Sequence, residues 1–450
     1  MDRFLLQAGL IKSANLKNHS LVSFDSRDLV VGQIFFALPG KNTDGHNYIL
    51  TAAAKGAAAA VVSKPIKNCP IPQMVVENTT ESLVQYAINW RDTVDPHCFG
   101  ITGSNGKTTV RAMIQHVLEK LNASFCASAG NNNNELGVPL TILKLRDTHT
   151  HAVFEMGARG MNQIKQLVDL VRPNIGVLTN VSECHLEGFG SLDNIIKAKS
   201  ELFSNMTSGY AVVNADSNGA RYFIAQSEHL QVVTYGSDPN SVDFGFDEII
   251  NLQNNRVRFS LHYCSIKVIV DLAVSGIHNV YNAVAAIAAL STSGLDIGEI
   301  VEAIGSFAGV PRRLMPHTTP FGMFVIDDSY NASPASFKIA LAQLQRHISK
   351  NKCIVCGDMA ELGASSGKIH QRLLQEIKQL NFKNVILYGN SMHVAGRAIN
   401  FEEALYPNNY SEMLDMINKY TNPGDVVLVK GSRFLQLDKL VDELLMEPTE

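Results

Sequence analysis

Lys107 stands in FGITGSNGKTTVRAMIQHVLEKL (99–121), between an apolar run and the start of an amphipathic helix. Gly103, Ser104, Asn105, Gly106, Lys107, Thr108 and Thr109 have the types to cradle a phosphate chain. Glycines let backbone N–H groups turn inward, and a helix N-terminus adds positive potential. A lysine here reaches terminal phosphates, and a threonine hydroxyl suits Mg²⁺. The commonest phosphate-loop spacing, G-x-x-x-x-G-K-[ST], needs a glycine at 101, where this chain has Ile101. Its glycine comes two residues later, so the expectation is a tighter loop.

SLDNIIKAKSELFSNM (191–206) reads as a helix with Ser191 as N-cap. Lys197 neighbours Asp193, Asn194, Ser200 and Glu201 at helical spacing, which predicts a solvated face. Lys199 falls with Ile195, Ile196, Leu202 and Phe203 on the apolar stripe. A lysine there snorkels to water, finds a partner or loses its charge. Snorkelling is the plain reading. The other is a neutral, nucleophilic amine. Such an amine can take up CO₂ as a carbamate, whose two oxygens suit Mg²⁺.

Glu155 ends the run HAVFE, and His185 follows IGVLTNV. Groups at the C-terminal ends of parallel strands face the crevice where α/β folds bind ligands. Glu155, His185 and a modified Lys199 can form one Mg²⁺ cluster beside Thr108. Ordinary readings stand beside this: a cap for the glutamate, loop packing for the histidine. Asn279, near the start of the helical GIHNVYNAVAAIAAL (276–290), either caps that helix or reads an adenine edge. Asp328 in DDSYNASP (327–334) follows a strand and can meet a ribose or a phosphate-bound metal. Arg313 in VPRRLMP can reach phosphate from a domain junction.

These positions need elements to hold them. Residues 1–85 read as a mixed α/β domain with β-like LVSF, QIFFAL, AAAVV and QMVV and a helical DGHNYILTAAAKG. TTESLVQYAINWRDTV (79–94) reads as a helix leading onward. Residues 86–313 alternate apolar strands (CFGIT, HAVFEM, NIGVLTNV, YAVVNAD) with amphipathic helices, the pattern of a covered parallel sheet. Residues 314–450 place FVIDD, CIVCGD, VILYG and VVLVKG between helical stretches, a Rossmann-like domain. The fold class expected is α/β in three domains.

Charged residues make up 18% of 450 residues and the net charge is −4, which points to neither nucleic acid nor an anionic membrane as partner. No stretch is apolar for long enough to span a bilayer, and MDRFLLQAGLIKSANL lacks the features of a signal peptide. Seven scattered cysteines fit the cytoplasm. Cys353 and Cys356 are spaced C-x-x-C, but inside an apolar run, and read as strand thiols.

Together these residues resemble those of the Mur ligase family, over essentially the whole chain. TGSNGKTT is similar to the family's ATP loop, which accounts for the displaced glycine. Glu155 in EMGARG, His185 in CHLEGFGS and Lys199 in KAKSELF match its Mg²⁺ residues and its carbamylated lysine. The resemblance therefore implies Lys107, Glu155, His185 and Lys199 as catalytic residues. It implies Thr108, Glu155, His185 and Lys199 as the metal set. For the nucleotide it implies the 103–109 loop with Asn279, Arg313, Asp328 and Asn331.

NNNNELGVPLT (131–141), HLEGFGS (185–191), DDSYNASP and GDMAELG (357–363) resemble the member that adds D-alanyl-D-alanine to a UDP-N-acetylmuramoyl-tripeptide. That places Asn133, Asn134 and Glu135 at the substrate. Asn132 departs from the pattern, since that member often has an aliphatic residue there. FDSR (24–27), with Ser26 and Arg27, and ALPGKNTDGH (37–46) resemble a uridine-nucleotide-binding domain. The implied chemistry uses ATP and Mg²⁺ to turn a carboxylate into an acyl phosphate, which an amine then attacks. The implied protein is a cytoplasmic monomer. The third residue of the peptide stays open between meso-diaminopimelate and lysine.

Overall fold

The structure is a computed structural model and describes residues 22–40, 43–252 and 255–446. The N-terminal stretch read for a signal, and residues 41 and 42 of ALPGKNTDGH, lie outside the described residues.

Short apolar runs make the first sheet. β1 (Val22–Ser23), β2 (Ile34–Phe36), β3 (Ala59–Val62) and β4 (Gln73–Val75) lie in that order, all parallel. The helix Thr79–Val94 follows, with the Asn78 side chain accepting from the amides of Thr80 and Glu81. It ends at Asp95 in the left-handed conformation.

The second sheet has nine strands. They are β5 (His97–Thr102), β6 (Phe125–Ala127), β7 (His151–Glu155), β8 (Ile175–Leu178), β9 (Tyr210–Asn214), β10 (Gln231–Gly236), β11 (Phe244–Leu252), β12 (Arg256–Tyr263) and β13 (Ile266–Leu272). Their order is β13-β12-β11-β10-β9-β8-β5-β7-β6. Pairing is parallel from β6 to β11 and antiparallel among β11, β12 and β13. The chain runs from β5 to one side and, after β7, crosses to β8 on the other. That reversal opens a crevice at the C-terminal end of β5, beside β7 and β8. The helix Lys107–Lys120 packs with the alanine-rich helix Ile277–Thr292 in one core, where small side chains permit close approach.

The third sheet contains β14 (Met315–Thr318), β15 (Phe324–Asp328), β16 (Lys352–Gly357), β17 (Asn384–Tyr388) and β18 (Val426–Lys430), in the order β14-β15-β18-β16-β17. Only β14 runs antiparallel. Asp328 and Lys430 are register partners at the ends of β15 and β18.

The expected strands and the helices at 79–94, 191–206 and 276–290 all form. β6 and β10 to β14 are additions. One expectation is corrected: Lys197 is exposed, but Ser200 and Glu201 are buried. The Glu201 carboxylate accepts from the amides of Asn162 (2.6 Å) and Lys165 (3.0 Å), capping the start of the helix Gln163–Val171. Cys353 and Cys356 are buried free thiols of β16, and burial pushes Cys353 up to about 12. Among the described residues no helix is long and apolar enough to cross a membrane.

Candidate active site

The turn after β5 is tied to the turn after β8. Ser104 N donates to Asn180 O (2.8 Å), Ser104 Oγ to Ser182 O (3.0 Å) and Thr179 Oγ1 to Asn105 O (2.5 Å). Gly103 has φ 149° and Gly106 φ 83°, a region that side chains rarely adopt. A Cβ at Gly103 would overlap Thr179 Oγ1. Gly103→Ala should therefore destabilise the fold by about 1–3 kcal/mol and weaken ATP binding at least about tenfold. Thermal melting with an ATP titration reads both effects.

Lys107 Nζ folds back on the loop, donating to Gly103 O (2.6 Å) and Ser104 O (3.3 Å). Burial lowers its pKa and nearby Arg313 adds to that, with Glu155 opposing. These carbonyls hold the ammonium where phosphate oxygens would attract it.

Glu155 is only 4% exposed at the end of β7. Thr108 Oγ1 donates to its Oε2 (2.9 Å) and Asn133 Nδ2 to its Oε1 (2.9 Å). The guanidinium of buried Arg111 lies 3.7 Å from Oε2. Arg313 Nη2 donates to Thr108 Oγ1 (3.0 Å), and its guanidinium sits 4.4 Å from the centre of the Tyr330 ring. The carboxylate and hydroxyl are hard oxygen donors and fit Mg²⁺, with phosphate and water completing the shell. Among the described residues, no three His, Cys, Asp or Glu side chains converge as a ready metal cage. An ion shared with substrate phosphates needs no such cage.

Lys199 does not snorkel. It is 1% exposed in the helix Leu192–Ser204, with Nζ 5.7 Å from the centre of the Phe189 ring. Among the described residues its ammonium has no hydrogen bond or ion pair. Burial lowers its pKa to about 7; Lys107 pushes the same way, while Cys184, Glu201 and Glu155 oppose. The amine is therefore substantially neutral near pH 7, as CO₂ uptake needs.

His185 has φ 51° and turns its Nδ1 to the Glu361 carboxylate of the third domain. That imidazole holds the Glu361 carboxyl below its usual range, with burial opposing. Asp328 receives Lys430 Nζ at 2.5 Å; the same ammonium donates to Asn331 O (3.0 Å). Burial pushes the Asp328 carboxyl up, and Lys430 opposes it. Asn331 itself is exposed. Asn279 Nδ2 donates to Ser275 O (2.8 Å) and does not cap its helix, whose N-cap is Gly276; Asn279 also lines an interdomain cleft with Thr109, Val274, Arg313 and Met315. Ser333 Oγ donates to Asn105 Oδ1 (3.4 Å), so the third domain touches the phosphate loop.

The remaining positions lie apart from this centre. Asn134 Oδ1 accepts from Gly137 N (2.9 Å), and Glu135 is exposed. Ser26 is buried, while Arg27 is exposed and paired with Asp25 at 2.6 Å. Sequence reasoning missed Arg111, Lys430 and Glu361. A signal for Lys430 existed: a charge ending the apolar run VVLVK.

The profile of the Mur ligase middle domain matches residues 101–290, that of the Mur ligase glutamate ligase domain 312–433, and that of the Mur ligase family catalytic domain 19–89. A UDP-N-acetylmuramoyl-tripeptide–D-alanyl-D-alanine ligase of Haemophilus influenzae is 32% identical, covering 98% of this chain and 96% of its own. The crystal structure of MurF from Acinetobacter baumannii superposes with a TM-score of 0.86 at 30% identity, covering 95% of this chain and 93% of that one. The MurF ligase of Thermotoga maritima in complex with ADP shares the fold, with a TM-score of 0.83 at 24% identity over 96% of this chain and 98% of that one.

Proposed function

The chain belongs to the Mur ligase family, and from that premise we propose that it joins D-alanyl-D-alanine to a UDP-N-acetylmuramoyl-tripeptide, converting ATP to ADP and phosphate. It works in the cytoplasm, in peptidoglycan precursor synthesis, as a monomer. The full-length likeness to ligases of this reaction supports the choice of substrates. The observation that carries the chemistry is that Lys107, Glu155 and Lys199 lie within electrostatic reach of one another, under a third domain that touches the phosphate loop.

A free carboxylate is a poor acylating agent. The peptide carboxylate attacks the γ-phosphorus of ATP, and ADP leaves. The dipeptide amine then attacks the acyl phosphate, and phosphate leaves. The protein's work is positioning and charge neutralisation. The loop amides and Lys107 meet the phosphates; Lys107 leaves its own carbonyls to do so. Thr108, Glu155, His185 and a carbamate on Lys199 would hold Mg²⁺, which would supply the positive charge that lets two anions approach. Asn133 and Arg111 keep the Glu155 carboxylate aimed. Asn279 lies where the nucleoside would sit, and Asp328 and Asn331 close over it from the third domain. Ser26 and Arg27 hold the uridine nucleotide, and Asn134 and Glu135 lie on the peptide's path. The docked domain keeps water from the acyl phosphate.

Mass analysis of the product tests the choice of substrates. ATP, Mg²⁺, the UDP-tripeptide and D-alanyl-D-alanine should yield the UDP-pentapeptide. Addition of one amino acid to a UDP-dipeptide would instead identify a sibling ligase. ATP binding without turnover on any substrate would identify a regulatory protein that has kept the site.

A further inference from the structure

The proposed mechanism leaves two charged side chains, Arg159 and Glu361, unused. Glu361 carries two partners from the central domain: Oε2 meets His185 Nδ1, and Oε1 lies 3.0 Å from Arg159 Nη2. Glu361 has φ 62°. A non-glycine residue held there marks a loop over-determined by its surroundings. The bases of the pair are rigid. A Cβ at Gly188 would overlap the Arg159 carbonyl oxygen, and one at Gly363 would meet Glu187 Cα at 3.2 Å. Arg159 N donates to Gln163 Oε1 (2.8 Å), and Glu187 N to Glu361 O (3.4 Å). The side chains are freer: that of Arg159 is 75% exposed and that of Glu361 32%.

We propose that Arg159 and Glu361 are the binding pair for the zwitterionic amine substrate. Arg159 takes its carboxylate and Glu361 its ammonium. This rests on the ligase reading above. An unliganded ion pair between two domains is matched, charge for charge, by a ligand with one carboxylate and one ammonium. Binding exchanges one exposed pair for two charge-assisted ones. A dipeptide separates its terminal charges by about 7 Å when extended. The exposed arginine must therefore swing away from Glu361, while the glutamate stays against His185. The ammonium then waits beside His185, next to the site where the acyl phosphate forms. Since the two residues come from different domains, the pair is complete only when the third domain is docked. The second substrate is then recognised after closure has begun.

Steady-state kinetics of the full chain with D-alanyl-D-alanine and with D-alanyl-D-alaninamide, which lacks the carboxylate, test this. The unmodified enzyme should show a KM for the amide at least about tenfold higher. Arg159→Ala should raise the KM for the dipeptide about tenfold and leave that for the amide within about twofold, so that discrimination collapses. Glu361→Gln should raise both, because both ligands keep the ammonium. The KM values for ATP and the UDP-tripeptide should not move in Arg159→Ala. Retained discrimination in Arg159→Ala, or a fall in kcat alone, would reduce the pair to a domain latch and overturn the proposal. Absence of dipeptide-dependent turnover in the unmodified enzyme would remove the ligase reading itself, and this proposal with it.

Discussion

Lys199→Met should lower kcat about 100-fold or more and, in the same protein, raise the melting temperature. The two effects have one cause. A lysine with ordinary pKa near 10.4 is neutral in about one molecule in 2,500 at pH 7. Burial of Lys199, with its pKa near 7, brings that to about half. Only the neutral amine takes up CO₂, and in the proposed mechanism only the carbamate would supply oxygens to Mg²⁺. Loss of such a ligand, or of one donor to the transition state, costs on the order of 10²-fold. Excess bicarbonate should not restore activity, since methionine has no amine.

Stability moves the other way. The unfolded chain binds the lysine proton up to about 10.5, and the folded one only to about 7. Between those values the unfolded state holds more protons, so stability rises with pH. Replacing a buried charge by an apolar side chain typically gains about 1–4 kcal/mol. The gain should be largest below pH 7 and fade towards pH 10.5. Melting curves across that range, with kcat measured on the same preparations, check both signs. Lys197→Ala, two residues away and exposed, should change neither by much. Near-normal activity of Lys199→Met would refute the carbamate.

Lys107→Ala is expected to cost about 10²–10³-fold in kcat, with weaker ATP binding. The ammonium is already held at the mouth of the loop by Gly103 O and Ser104 O. The side chain is thus poised beside the phosphate position, and it needs only to exchange those carbonyls for phosphate oxygens. Lys107→Arg should not rescue. The loop is closed on one side by Thr179 and on another by Asn282, which a Cβ at Gly106 would meet at 2.5 Å from its Oδ1. A broad guanidinium is not a substitute for a compact ammonium in that space. ATP titration calorimetry and steady-state rates separate binding from turnover. An active Lys107→Arg would show that charge alone suffices.

The parts of the site that lie on one strand and the turn after it were legible in the sequence. The strand–glycine–lysine–helix order announces the loop, and Glu155 announces itself by ending an apolar strand. Helical period put Lys199 on the buried face, and it is buried. The same period put Glu201 in solvent and was wrong. Periodicity gives a face but not the neighbour that covers it, here the start of another helix. Partners distant in sequence were not legible: Asn133 for Glu155, 22 residues away; Lys430 for Asp328, 102 away; Glu361 for His185, 176 away. Such pairings depend on which strand ends the topology brings together. The antiparallel strands β11 to β13 escaped for another reason. In RVRFSLHY the buried residues Val257, Phe259 and Leu261 alternate with others, and a search for continuous apolar runs passes over them.

Release of inorganic phosphate, followed with ATP, Mg²⁺ and UDP-N-acetylmuramoyl-tripeptide, with and without D-alanyl-D-alanine, tests the central claim most directly. Steady release that requires the dipeptide is the predicted result. Release at the same rate without it, or none with it, would contradict the claim: the nucleotide site would stand, but the acid and amine it joins would have to be sought again.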